Sequence, residues 1–65
     1  MKITVNGDAR DIDAADLARA LNELGYHDSF IATAVNGEFI AKSARRDKQL
    51  ADGDRIEIVA PMQGG

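Results

Sequence analysis

The groups that do chemistry in proteins are scarce in this sequence, and most stand alone. His27 is the single histidine and there is no cysteine. One imidazole cannot complete a triad or a metal site, so His27 is expected to be a solvated loop residue. Without thiols there is no disulfide framework, no thiolate zinc site and no cysteine nucleophile. Asp52 and Asp54 resemble a carboxylate pair, but they flank Gly53. Aspartate is favoured there for local hydrogen bonds, so the pair is a turn. Lys42, Arg45, Arg46 and Lys48 form a small basic cluster. It is expected to be a solvated loop, and at best a rim contact with an acidic partner. Neither GxxxxGK[ST] nor GxGxxG occurs, so the sequence offers no ATP or dinucleotide site.

What is left is Pro61-Met62-Gln63-Gly64-Gly65, entered directly from the apolar run Arg55-Ile56-Glu57-Ile58-Val59-Ala60. A terminal glycine pair, taken alone, reads as a frayed end. The other glycines change that reading. Gly7, Gly25, Gly37 and Gly53 each fall at a turn or helix end that calls for one, whereas the fold gives no reason for Gly64 and Gly65. A tip without Cβ atoms is the thinnest a polypeptide can present. Pro61 cannot donate to a strand ladder and biases Ala60 towards an extended conformation, which makes it a natural place for a sheet to stop. Five extended residues reach roughly 17 Å, enough to thread a narrow cleft. Gly65 is expected to be the terminus, with its α-carboxylate as the reactive group.

The elements that must position this tail follow from periodicity. Ile3 and Val5 alternate with Lys2 and Thr4, and Asn6-Gly7 is a strong hairpin signal. A second, weaker strand is expected over about Ala9 to Ile12. Asp13 is the expected N-cap of a helix from Ala14 to Leu24, with Leu17, Leu21 and Leu24 as its apolar stripe and Gly25 as its stop. Phe30 to Val35 is the next strand, turned by Asn36-Gly37 into Glu38-Phe39-Ile40-Ala41. Lys42 to Gln49 is expected to be a loop with a short helical turn, and Leu50 to tuck under the sheet. Asp52-Gly53-Asp54 turns the chain into the last strand.

This β-β-α-β-β-β order predicts an α+β two-layer roll: a five-stranded mixed sheet with one helix on one face and the first and last strands parallel. Residues 1–60 form the domain and 61–65 a functional tail. The uncovered sheet face is expected to carry Thr4, Ala32, Ala34, Glu57 and Val59. Small and apolar residues there suit partner docking as well as they suit an ordinary half-apolar face.

Composition narrows the function classes. At 65 residues the chain is one small domain, and 45% hydrophobic with 29% charged is ordinary globular usage. A net charge of −3 argues against a broad nucleic-acid-binding face. No basic-then-apolar leader precedes Ile3 and no apolar run approaches a membrane span, so the expectation is a soluble, cytoplasmic protein, monomeric when free.

The chain resembles the ThiS family of β-grasp, ubiquitin-like sulfur carriers of thiamine biosynthesis. The likeness rests on Ile3-Thr4-Val5-Asn6-Gly7, Ala34-Val35-Asn36-Gly37 and the run from Leu50 to Val59, and most narrowly on the closing Pro61-Met62-Gln63-Gly64-Gly65. Two departures stand out: Thr33 where the family usually has a branched aliphatic, and Ala41-Lys42 where proline and arginine are more usual. The resemblance implies that the chain is a co-substrate and not a catalyst. A ThiF-type enzyme would adenylate the Gly65 carboxylate with ATP used in trans, a persulfide donor would convert it to a thiocarboxylate, and thiazole synthase would receive the sulfur. It implies that Pro61, Met62, Gln63 and Gly64 are the tail recognised by those partners, with Val59, Glu57, Ala34 and Ala32 on the docking face. No bound cofactor or metal is implied. The rival readings are the small subunit of molybdopterin synthase, a ubiquitin-like modifier, and a pure binding module that uses its open face.

Overall fold

Two Asn-Gly pairs set the strand architecture. Asn6 and Gly7 take φ of 50° and 88°, and Asn36 and Gly37 take 53° and 86°. Positive φ at both central residues is the type I′ geometry, whose twist matches that of the flanking strands. The computed structural model describes residues 1–26 and 30–60. Its elements are β1 (Lys2–Val5), β2 (Asp8–Asp11), α1 (Leu17–Glu23), β3 (Ala32–Val35), β4 (Glu38–Ile40), a 3₁₀ helix (Lys42–Asp47) and β5 (Arg55–Val59). The five strands form one sheet in the order β2-β1-β5-β3-β4. Among the described strands only β1 and β5 pair in parallel, with Thr4 opposite Arg55 and Val5 opposite Ile56. The expected five-stranded mixed sheet, with its first and last strands adjacent, is the one observed.

Alternation decides which face is covered. Ile3, Val5, Val35, Ile40, Ile56 and Ile58 point inward and are buried beneath Leu17, Ala20 and Leu21 of α1, with Ile12 and Leu50 closing the sides. Leu17 has no exposed surface at all. The 3₁₀ helix packs against α1 on the same side of the sheet.

The helix starts later than its sequence suggests. Asp16, not Asp13, is the N-cap, and its Oδ1 accepts the Arg19 N–H at 2.8 Å. Residues around Ala15 cannot be helical because their backbone is committed elsewhere. Leu50 N–H donates to Ala15 O at 2.8 Å, Leu17 N–H donates to Lys48 O at 2.9 Å, and Asp16 bridges Gln49. The Asp13 and Ala14 N–H groups are taken instead by the Glu23 carboxylate at 3.0 to 3.1 Å. Gly25 follows the C-cap Leu24 with φ of 95°, as the helix stop requires.

Smaller shifts have equally local causes. β2 runs one residue earlier than expected, and Ile12 is a buried residue beyond it whose N–H bonds Met1 O. β3 begins at Ala32 because Val59, its partner, ends β5. Phe30 lies outside the strand and is 73% exposed. Ala41 caps the 3₁₀ helix and does not extend β4.

The basic loop departs most from expectation. Arg45 is buried, not solvated. Its Nε donates to Thr33 Oγ1 at 3.1 Å and its Nη2 to the Ile31 carbonyl, while the Thr33 hydroxyl donates to Ile40 O at 3.0 Å. Thr33 and Arg45 are the buried polar side chains among the described residues. Each therefore supplies the partner that makes burial of the other tolerable. The hydroxyl that looks out of place at position 33 is the acceptor for a guanidinium twelve positions along the chain.

Candidate functional site

The site is the outer face of the sheet together with the end of β5, which leads into the tail sequence. Ala32 lies opposite Val59 and Ala34 opposite Glu57, so the structure brings the four docking-face residues read from the sequence onto one surface. Thr4, half-buried, stands on the neighbouring strand opposite Arg55. Val59 is 62% exposed although it closes the central strand. Pro61, Met62, Gln63, Gly64 and Gly65 lie outside the described residues, as does His27.

Sequence reading missed Phe39. It sits opposite Ala34 in the β3–β4 ladder, is 67% exposed, and joins Ala32, Ala34, Glu57 and Val59 around a shallow depression bordered by Asn6 and Gly7. The signal was present: a two-residue hairpin turn at Asn36-Gly37 forces Ala34 opposite Phe39, so an outward Ala34 makes Phe39 outward too. Phenylalanine is the largest apolar contribution this face can make to a contact.

The polar candidates take structural places. Asp52 accepts the Lys2 N–H at 2.6 Å, and Asp54 accepts the Ala51 N–H at 2.9 Å around a Gly53 with φ of 89°. Asp54 also accepts from Asn36 Nδ2 at 3.0 Å. That hydrogen bond first, and the Ala51 N–H second, hold its carboxyl below the usual aspartate range. These are the bonds of a turn, and no acid/base pair is formed. Lys42, Arg46 and Arg45 line a groove beside the 3₁₀ helix and Ala18, on the helix side of the sheet and away from its outer face. Among the described residues no group of three or more His, Cys, Asp or Glu side chains could hold a metal ion. No described helix is long and apolar enough to cross a membrane.

The described part of the site offers the apolar side chains of Phe39, Val59, Ala32 and Ala34 beside Glu57, with the end of β5 at their edge.

The ThiS family model matches residues 3–65, which takes in β1 from Ile3 onward, the other four strands, the helix and the tail sequence. The chain belongs to the ThiS family. It is 35% identical over 63 residues to a sulfur carrier protein ThiS from Thermus thermophilus, with 97% of this chain and 98% of that protein covered. It is 38% identical over 66 residues to a protein named thiazole synthase from Paramagnetospirillum magneticum. All of this chain is covered there, but it spans only 20% of that longer protein. A crystal structure of a thiamine biosynthesis protein (ThiS) from Geobacter metallireducens superposes with a TM-score of 0.83 at 29% identity, over 100% of both chains. The solution structure of a thiamine biosynthesis protein from the same organism gives 0.79 at 29% identity, over 100% of this chain and 88% of the other. A ThiS-family chain is thus matched from end to end in sequence and in fold.

Proposed function

We propose that this ThiS-family chain is a sulfur carrier of thiamine biosynthesis whose Gly65 carboxylate becomes a thiocarboxylate. One observation carries the reading: the family match does not stop at the folded domain but continues through Gly64 and Gly65. The chain is a carried reagent and not a catalyst, in keeping with a site made of an apolar face and a tail.

The chemistry follows from the carboxylate. An ionised carboxylate is a poor electrophile, so a ThiF-type enzyme first transfers AMP from ATP to Gly65, with pyrophosphate as leaving group. The terminal sulfur of a persulfide then attacks the acyl carbon and expels AMP, giving an acyl disulfide. A thiol cleaves its S–S bond, leaves with the donor sulfur as a disulfide, and supplies the electron pair that releases the thiocarboxylate. That anion is a good nucleophile at neutral pH, and thiazole synthase is its recipient. A segment 38% identical to this chain within a protein named thiazole synthase supports that pairing. On this reading Pro61, Met62, Gln63 and Gly64 enter the partners' clefts while Phe39, Val59, Glu57, Ala34 and Ala32 dock against their surfaces.

The test is the intact mass after incubation with ATP, an adenylating enzyme of this family and a persulfide donor with excess thiol. The expected gain equals the exchange of one oxygen for one sulfur and disappears when Gly65 is deleted. An unchanged mass, with the enzyme active on another carrier, rejects the reading. Gly65→Ala is expected to fold normally and to be adenylated at least about a hundredfold more slowly, because misplacing a reacting group by about 1 Å has that effect. Adenylation of the alanine variant at the wild-type rate would show that the tip need not be thin.

A further inference from the structure

The central strand outruns its parallel neighbour. The β1–β5 ladder ends with Val5 opposite Ile56, and the Asn6 N–H donates to Ile56 O at 2.9 Å before the chain turns away at Asn6-Gly7. On that edge no described strand remains to pair with Ile58. The Asn6 side chain takes its place. Its Oδ1 accepts the Ile58 N–H at 2.8 Å and its Nδ2 donates to Ile58 O at 3.1 Å. A carboxamide offers the same donor and acceptor as a peptide group, so one side chain extends the ladder by a residue. On the other edge β3 pairs Thr33 with Ile58 and Ala32 with Val59. Both backbone groups of Ile58 are therefore taken by Asn6, while the next residue, Val59, lies opposite Ala32 of β3, just ahead of Ala60 and the tail sequence.

We propose that Asn6 is a positioning residue for the C-terminal chemistry: its two-point clamp on Ile58 fixes where β5 ends and therefore where the tail begins. The proposal rests on the sulfur-carrier reading above. Without the clamp β5 opens from its end towards Ile56, and Ile58, Val59 and Ala60 must then be ordered when the terminus docks. Ordering backbone opposes binding and leaves the bound geometry unchanged, so the loss falls on KM more than on kcat. Type I′ preference fully accounts for an asparagine at this position, which is why its second role is hidden in the sequence.

The molecule contains its own control. Asn36 occupies the same place in the other hairpin, and its Oδ1 accepts the Arg55 N–H at 2.9 Å. It therefore holds the start of β5 as Asn6 holds the end. Asn6→Gly and Asn36→Gly both keep a residue that accepts positive φ while removing the carboxamide. Asn6→Asp is a second variant, retaining the acceptor for the Ile58 N–H but setting a carboxylate oxygen against Ile58 O.

The experiment combines amide hydrogen exchange on the full chain with kinetics of adenylation, the carrier being the varied substrate. Asn6→Gly and Asn6→Asp should speed exchange at Ile58 and Val59 and raise KM about fivefold, the size of one net hydrogen bond, with kcat nearly unchanged. Asn36→Gly should lose comparable stability and leave KM alone. Equal KM increases in the two glycine variants would reduce Asn6 to a stabilising residue, and an unchanged KM in both Asn6 variants would remove the positioning role outright. A wild-type chain that gains no sulfur rejects the carrier reading itself, and this proposal with it, whatever the exchange rates show.

Discussion

The two faces of the sheet are built from alternate residues of the same strands, yet they differ sharply in what covers them. In β5, Ile56 and Ile58 are 1% and 7% exposed, while Val59 on the other face is 62% exposed. In β4, Ile40 is buried and its neighbour Phe39 is 67% exposed. Hydrophobic burial on the inner face accounts for the fold. The outer face keeps apolar surface that contributes little to folding, and surface of that kind gains free energy only when a partner covers it.

The sharpest way to break this contrast is to truncate one large side chain on each face. Leu17→Ala empties a site with no exposed surface and is expected to lower stability by about 2–5 kcal/mol. Phe39→Ala should change stability by no more than about 0.5 kcal/mol, since the ring is mostly in water already. The same variant should weaken binding to the adenylating enzyme about tenfold or more, the scale on which buried interface aromatics act. Denaturant titration and a binding isotherm on both variants check the pair. If Phe39→Ala proves as destabilising as Leu17→Ala with partner affinity intact, the outer face is core and not a docking surface.

A second test sharpens the contrast from within the inner face, where Thr33 and Arg45 are the polar exceptions. Thr33→Val leaves the Arg45 Nε without its acceptor and is expected to cost about 1–3 kcal/mol. Adding Arg45→Met should recover most of that, because an apolar pair of similar volume often replaces a buried polar one without loss. The measurement is a double-mutant cycle in denaturant. Strictly additive costs would show that the two side chains do not act as a unit.

What the sequence discloses follows the same division. The two hairpins, Leu17 and Leu21 of the α1 stripe and the outward set Ala32, Ala34, Glu57 and Val59 were legible because alternation and Asn-Gly turns are local signals, whereas Ala20 was missed and Leu24 is only partly buried. The start of α1 was not legible, since Asp16 becomes the cap only because Ala15 and Leu17 bond residues 48 and 50. Arg45 was misread as solvated for the same reason. A basic run has the composition of a surface loop, and nothing within it announces a threonine acceptor on β3. The Asn6 clamp was hidden differently: one sufficient local explanation concealed a long-range contact with Ile58.

The smallest expected effect belongs to the rim of the sheet, which is part of neither face. Asp54 stands at the entry to β5, and its carboxyl is held below the ordinary range by Asn36 Nδ2 and then by the Ala51 N–H. A carboxyl whose folded pKa is depressed releases its proton more readily in the folded chain than in the unfolded one. Its contribution is therefore complete above the unfolded value of about 3.9 and is lost as pH falls through the folded value. Asp54→Asn removes the charge while keeping an oxygen that can accept from Ala51. The stability difference between wild type and this variant should be constant near neutrality and shrink as pH drops below about 4. It should stop changing once Asp54 is protonated in the folded chain. Equilibrium unfolding at a series of pH values reads that difference directly, with the other carboxylates common to both proteins. A difference that stays level through the acid range would mean that the Asn36 contact fastens the turn without favouring the ionised carboxyl. The rim would then stabilise β5 by shape alone, as the inner face does.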